Sequence, residues 1–119
     1  MSQFTNRKEY ISKLLSYKDK DLIKVISGLR RSGKSTLLEL FRKQLLDLNI
    51  DSNQIHEYNF ELPENYLNKT WSDLYFEIKE KLKTGKQNYI FLDEIQNIPS
   101  FERLVDGLFA SDNTDVYVT

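Results

Sequence analysis

Nine consecutive residues carry the clearest chemistry in this chain, Gly28-Leu29-Arg30-Arg31-Ser32-Gly33-Lys34-Ser35-Thr36. They fit G-x-x-x-x-G-K-[ST], a loop whose backbone N–H groups surround a phosphate at the start of a helix. Glycine has no Cβ, so the backbone at Gly28 and Gly33 turns freely and approaches an anion closely. In such a loop Lys34 reaches the β- and γ-phosphates, and the Ser35 hydroxyl is a ligand of Mg²⁺. The pattern predicts a nucleotide-binding loop.

The segments on either side of the loop test whether the match is accidental. Residues 22–26 form a short apolar, β-branched run, which predicts a buried strand that enters the loop. Residues 36–46 are mostly strong helix formers and predict a helix that leaves it. An accidental Gly/Ser/Lys turn does not require this context, so we favour nucleotide binding. The predicted binding residues are Gly28, Arg30, Arg31, Ser32, Gly33, Lys34, Ser35 and Thr36.

A second candidate follows the apolar run Tyr89-Ile90-Phe91-Leu92, where two acids, Asp93 and Glu94, stand together. A continuous apolar run is typical of a parallel strand that is buried on both faces. Ligands of open α/β sheets bind beyond the carboxyl ends of such strands. In P-loop proteins the acid that closes this strand holds Mg²⁺ together with the loop Ser or Thr. We therefore predict that Asp93 and Ser35 are the metal ligands.

The remaining periodicity predicts an alternation of strands and helices. The predicted helices cover residues 6–17, 36–46, 71–82 and 101–109, and the predicted strands cover residues 22–26, 54–60, 88–93 and 115–119. Ser100 is expected to cap the last helix, and His56 is expected on the exposed, polar side of its strand. The alternation predicts an α/β fold, a parallel sheet with helices on both faces. We expect one domain over residues 1–119, with an N-terminal helical segment (1–20) and a nucleotide-binding core (21–119).

Composition restricts the class of protein. The chain has no cysteine, which excludes disulfides and thiolate metal sites. No apolar run approaches the ~20 residues of a membrane helix, and the start lacks the apolar core of a signal peptide. We therefore expect a cytoplasmic protein without a membrane partner. Residues 1–34 hold nine Lys or Arg against three Asp or Glu, but no compact basic run marks a nucleic-acid surface. A nucleic-acid or protein partner stays open.

Other P-loop chemistries fit the residues less well. A GTPase usually carries Asp-x-x-Gly and Asn-Lys-x-Asp, whereas Asp93-Glu94-Ile95-Gln96 lacks the glycine and Asn68-Lys69-Thr70-Trp71 lacks the aspartate. A small-molecule kinase needs an acceptor pocket and an arginine-bearing lid, and the sequence indicates neither. The adjacent acids favour water as the acceptor, and hence ATP hydrolysis. The alternative is a nucleotide-gated module that binds a protein or nucleic acid, with incidental turnover.

The phosphate loop, the run Phe91-Leu92-Asp93-Glu94-Ile95-Gln96 and the run Val116-Tyr117-Val118-Thr119 resemble the predicted ATPases of the AAA+ superfamily from bacteria and archaea. The double arginine before Ser-Gly-Lys and the Asp-Glu-Ile-Gln run are the most specific parts. In that family a nuclease-like domain follows the P-loop domain. The resemblance implies ATP and Mg²⁺ as cofactors and Glu94, with Lys34, as the catalytic residues, Glu94 activating water.

The resemblance also implies a three-layer sheet of the additional-strand type, in which the last strand lies between the P-loop strand and the Asp93 strand, giving the order 1-4-3-2. In relatives a threonine matching Thr119 precedes a polar sensor, a fifth strand and a lid. We therefore expect an N-terminal fragment with the fifth strand missing, which binds ATP better than it hydrolyses it. An unpaired edge at the P-loop strand would favour a homo-oligomer.

Overall fold

A computed structural model describes residues 11, 13, 15–20, 22–26 and 31–119, and for residues 31–36 it describes the backbone alone. The strands are β1 (Lys24–Val25), β2 (Ile55–Asn59), β3 (Asn88–Asp93) and β4 (Thr114–Val118). The helices are α1 (Arg31–Asp47), α2 (Trp71–Lys81) and α3 (Phe101–Phe109), and short 3₁₀ helices cover Ser52–Gln54, Pro63–Asn65 and Ile95–Asn97. Residues 11, 13 and 15–17 are also helical. None of the helices in these described ranges is long and apolar enough to cross a bilayer.

The four strands form one parallel sheet in the order β1-β4-β3-β2. Tyr117 of β4 pairs with Lys24 on one side and with Phe91 on the other. The order expected from the resemblance is therefore confirmed, with β4 between β1 and the strand that ends at Asp93. Because all strands are parallel, their carboxyl ends meet at one edge of the sheet.

Helices cover both faces of the sheet. Helix α1 buries residues spaced by four, Leu37, Phe41 and Leu45, against Phe91 and Tyr117. The Phe41 ring lies 5.9 Å from the Phe91 ring and 5.1 Å from the Tyr117 ring, centroid to centroid. On the opposite face α2 and α3 pack together over the alternate strand residues; this core includes Leu74, Ile78, Leu104, Leu108, Ile90, Leu92 and Val116. The three layers form because successive strand side chains point to opposite faces of the sheet, whereas helix side chains spaced by three or four residues lie on one face of the helix.

Two helix starts show how local sequence sets the elements. At α2 the Thr70 hydroxyl accepts from the Asp73 N–H at 3.2 Å, and the Asp73 carboxylate accepts from the Thr70 N–H at 2.9 Å. This reciprocal pair satisfies two N–H groups that have no partner within the helix. Ser100 occupies the corresponding position of α3, as expected, but it adopts φ 61° and its side chain makes no capping bond. The capping role predicted for Ser100 is therefore wrong.

Three further expectations differ from the structure. Strand β1 is short, and Val25 is 66% exposed instead of buried, because β1 pairs within the described chain only with β4. Helix α1 begins at Arg31 instead of Thr36. The prediction began too late because Ser and Gly are weak helix formers, so helix propensity alone does not include residues 31–35 in the helix. His56 is buried, with Nε2 3.0 Å from Asn88 Oδ1. Its position two residues before Tyr58 puts it on the face packed against α2.

Candidate functional site

Asp93 closes β3 at the carboxyl edge of the sheet. Side chains two residues apart in a strand share a face. Phe91 packs against α1, so Asp93 lies on the α1 face as well. Strand β1 ends two strands away, where the Ile26 N–H donates to the Val118 carbonyl at 2.8 Å, and α1 begins at Arg31. The exit of β1, the start of α1 and the Asp93 carboxylate therefore belong to the same edge.

Glu94 leaves the strand in a left-handed conformation, with φ 56° and ψ 44°. This conformation is uncommon for a residue with a side chain and requires support from its surroundings. The Gln96 amide Nε2 donates to Glu94 Oε1 at 2.5 Å. The 3₁₀ helix that follows is anchored by Asn97, whose Nδ2 donates to the Phe60 carbonyl at 2.9 Å, and by buried Ile95. A fixed turn thus carries Glu94 away from the sheet immediately after Asp93.

Thr119 brings the two acids together from the neighbouring strand. Its hydroxyl Oγ1 donates to Asp93 Oδ1 and accepts from the Glu94 backbone N–H, the latter at 3.2 Å. Its own N–H donates to the Leu92 carbonyl at 3.0 Å, which continues the β3–β4 ladder past Val118. Sequence reasoning missed these contacts. The available signal was a polar residue directly after a buried strand at the carboxyl edge.

A cleft of about 310 Å³ opens between α1 and β2 and reaches Asp93. Phe91 lines it, and Arg42 Nε and Glu57 Oε1 form an ion pair of 3.0 Å along it. Tyr58 also borders the cleft, but its side chain packs on the α2 face of the sheet, where burial raises the pKa of its hydroxyl and Glu77 reinforces the effect. The sequence indicated no pocket beside the acids, because these residues come from three separate elements.

The predicted site residues differ in how much of each the structure describes. Gly28 and Arg30 lie outside the described residues. Arg31, Ser32, Gly33, Lys34, Ser35 and Thr36 form the first turns of α1, with their backbone alone described. Asp93 and Glu94 are adjacent and are joined through Thr119. The roles assigned to all of these residues stay predictions.

Comparison with known proteins identifies the relatives of this chain. A family model described as "AAA domain" matches residues 20–119. An uncharacterized protein of Haemophilus influenzae is 40% identical over 115 residues, a match that covers 96% of this chain and 29% of that protein. The chain therefore spans less than a third of the relative's length. No solved structure matches the chain.

Proposed function

We propose that this chain, which belongs to the AAA domain family, binds ATP together with Mg²⁺ and hydrolyses ATP. Nucleotide binding is supported by the membership of the chain in this family. One observation carries the finer proposal: the Asp93-Glu94 pair stands at the carboxyl edge, with Asp93 on the face covered by α1. The first turns of α1, which covers that face, carry Lys34 and Ser35, so we assign the acids and the loop to one site.

The donor set fits magnesium. Mg²⁺ prefers oxygen ligands and is usually held by one or two protein groups plus phosphates and water. Asp93 supplies a carboxylate at the edge, and Ser35, in the first turns of α1, supplies a hydroxyl. When bound, Mg²⁺ neutralises charge on the β- and γ-phosphates. We assign Asp93 and Ser35 as its protein ligands.

The other residues act on the nucleotide and on water. Backbone N–H groups of the loop and the Lys34 ammonium bind the phosphates and withdraw negative charge from them. Glu94 is the proposed base, which orients the attacking water and accepts its proton. Gln96 donates a hydrogen bond to the Glu94 carboxylate, and Thr119 accepts one from the Glu94 backbone N–H. Water is the acceptor in this proposal, since a second acid, Glu94, directly follows the proposed metal ligand Asp93.

Two substitutions and one control test the proposal. We expect Lys34→Ala to abolish both nucleotide binding and turnover. We expect Glu94→Gln to keep ATP affinity and to lower turnover by about 10²-fold or more, because general-base catalysis contributes on that scale. Glu102→Gln, at an exposed position of α3, is the matched control and should resemble the wild type. Binding is measured with a fluorescent ATP analogue and turnover by phosphate release.

The same variants separate hydrolysis from the alternative of a nucleotide-gated binding module. Unchanged ATP binding by Lys34→Ala contradicts the phosphate-loop assignment. Unchanged turnover by Glu94→Gln contradicts the role of that acid. A wild-type protein that binds ATP, does not release phosphate and changes its affinity for DNA or protein when ATP is added favours the binding module.

A further inference from the structure

We infer that Thr119 is a positioning residue, whose hydroxyl sets the orientation of the Asp93 carboxylate and of the Glu94 backbone at the same time. This inference rests on the proposed function, since both acids matter only if they serve Mg²⁺ and water. Thr119 itself is not proposed to touch the nucleotide. It acts through the two residues that do.

The direction of both hydrogen bonds is fixed by chemistry. A carboxylate only accepts and a backbone N–H only donates, so Thr119 Oγ1 must donate to Asp93 Oδ1 and accept from Glu94. A hydroxyl has one proton and two lone pairs, and this arrangement uses the proton for Asp93. Valine has the same shape but can make neither bond, whereas serine can make both.

The strand register explains why this residue is the one that bridges. Leu92 pairs with Val118, so the next residues, Asp93 and Thr119, stand side by side at the edge. The Thr119 N–H to Leu92 carbonyl bond of 3.0 Å holds the backbone in that register. The hydroxyl therefore lies between two neighbouring strand ends and does not depend on a mobile loop.

Two consequences follow for the acids. With Oδ1 engaged by Thr119, rotation of the Asp93 carboxylate is restricted, which orients its second oxygen. Groups that orient a metal ligand typically change metal affinity by 10–100-fold when they are removed. The bond to the Glu94 N–H supports a left-handed residue, so its loss removes one of the contacts that fix the turn carrying the proposed base. Removing one hydroxyl should therefore affect both the metal dependence and the turnover.

The test compares Thr119→Val with Thr119→Ser, and with Thr114→Val as a matched control. Thr114 lies at the other end of β4, where its hydroxyl oxygen is within hydrogen-bond distance of the carbonyls of Leu108 (2.7 Å) and Ser111 (2.9 Å). Each variant is titrated with Mg²⁺ in two assays, ATP hydrolysis and equilibrium binding of a fluorescent ATP analogue. Binding is also measured without Mg²⁺, and thermal melting reports whether each variant is folded.

For Thr119→Val we expect the Mg²⁺ concentration at half-effect to rise about 10-fold in both assays, with Mg²⁺-free nucleotide binding unchanged. Thr119→Ser should restore the wild-type titration, and Thr114→Val should lower the melting temperature without moving the Mg²⁺ dependence. Thr119→Ala replaces the valine variant if that protein does not fold.

The outcomes distinguish this inference from the proposed function. If the wild type neither binds nor hydrolyses ATP, the proposed function fails, and this inference fails with it. If the wild type hydrolyses ATP and Thr119→Val has the same Mg²⁺ dependence, only this inference fails. An equal shift in Thr114→Val would show a general structural effect and would also overturn it.

Discussion

A buried ion pair at the amino end of the sheet, opposite the candidate site, offers the sharpest test of how the sheet is held. Lys24 Nζ lies 2.5 Å from Asp115 Oδ1, and the two side chains are 4% and 0% exposed. Lys24 also donates to the Lys20 carbonyl at 2.6 Å. The second Asp115 oxygen accepts from the Asp19 N–H at 2.9 Å and from the Tyr117 hydroxyl at 2.8 Å. The pair joins β1 to β4, and β1 precedes the predicted phosphate loop.

We predict that Lys24→Met lowers the free energy of unfolding by about 3 kcal/mol, the lower part of the ~3–5 kcal/mol range for removing one partner of a buried pair. The lower part applies because Asp115 keeps two hydrogen-bond donors, the Asp19 N–H and the Tyr117 hydroxyl. Asp115→Asn should cost more, about 4 kcal/mol, since it leaves a buried ammonium without a counter-charge. The double variant should cost less than the sum of the two single variants, because it leaves no unpaired charge.

Urea denaturation followed by the fluorescence of the single tryptophan, Trp71, measures these costs. Lys86→Met is the matched control, since Lys86 pairs with Asp51 at 3.2 Å but the side chains are 53% and 61% exposed. Its cost should be below about 1 kcal/mol, as for other exposed pairs. A Lys24→Met protein that is no less stable than the Lys86→Met protein would refute the reasoning, and so would strictly additive costs in the double variant.

Three further predictions concern stability. Burial and the Asp115 carboxylate raise the pKa of the Tyr117 hydroxyl above its usual value of about 10. The neutral hydroxyl therefore contributes fully to the free energy of unfolding below pH ~10, and this contribution is lost as the pH rises beyond that value. Tyr117→Phe should therefore flatten the fall of the urea midpoint at alkaline pH. Gly107→Ala should lower the melting temperature, because the new Cβ would lie 2.9 Å from the Tyr75 ring. Such a clash costs ~1–3 kcal/mol, which exceeds the ~1 kcal/mol that alanine gains over glycine in helix propensity. Asn88→Asp should cost about 2–3 kcal/mol in urea denaturation, because the Asn88 amide nitrogen lies within hydrogen-bond distance of three backbone carbonyls that a carboxylate would repel.

Matched variants control these three predictions. Tyr17→Phe changes an exposed tyrosine and should leave the fall of the urea midpoint at alkaline pH as in the wild type. An equally steep fall in the Tyr117→Phe variant contradicts the first prediction. Tyr75→Leu should relieve the clash of Gly107→Ala, and a melting temperature raised by Gly107→Ala alone would show that the ring moves aside. Asn53→Asp makes the same chemical change at an exposed position, and an equal cost there argues against the carbonyl contacts.

Several elements of the fold were predictable because their apolar patterns fit only one type of secondary structure. Strand β3 was predicted with the observed bounds, since its apolar run is buried on both faces. Helix α3 was predicted with the observed bounds, since its apolar residues recur at helical spacing and bury Leu104 and Leu108. Strand–helix alternation gives a parallel sheet but does not give the strand order. The order came from the resemblance to the AAA+ ATPases.

Contacts between distant residues were not predictable from one sequence. Lys24 and Asp115 are 91 residues apart, and a charged residue within a strand is ordinarily exposed. His56 was predicted on the wrong face because an imidazole can be either a surface group or a buried group with a hydrogen bond. The Thr119 bridge depends on the register of β3 and β4, which periodicity does not determine.

Strand β4 connects these findings, because it lies between the strand that precedes the predicted phosphate loop and the strand that ends at Asp93. Neighbouring strands are ~4.8 Å apart, so the ends of β1 and β3 are separated by about 10 Å. Asp115 fixes one end of β4 to β1, and Thr119 fixes the other end to Asp93. The width of the proposed site is thus determined by a strand that contributes no predicted ligand, and substitutions of Asp115 and Thr119 should change it.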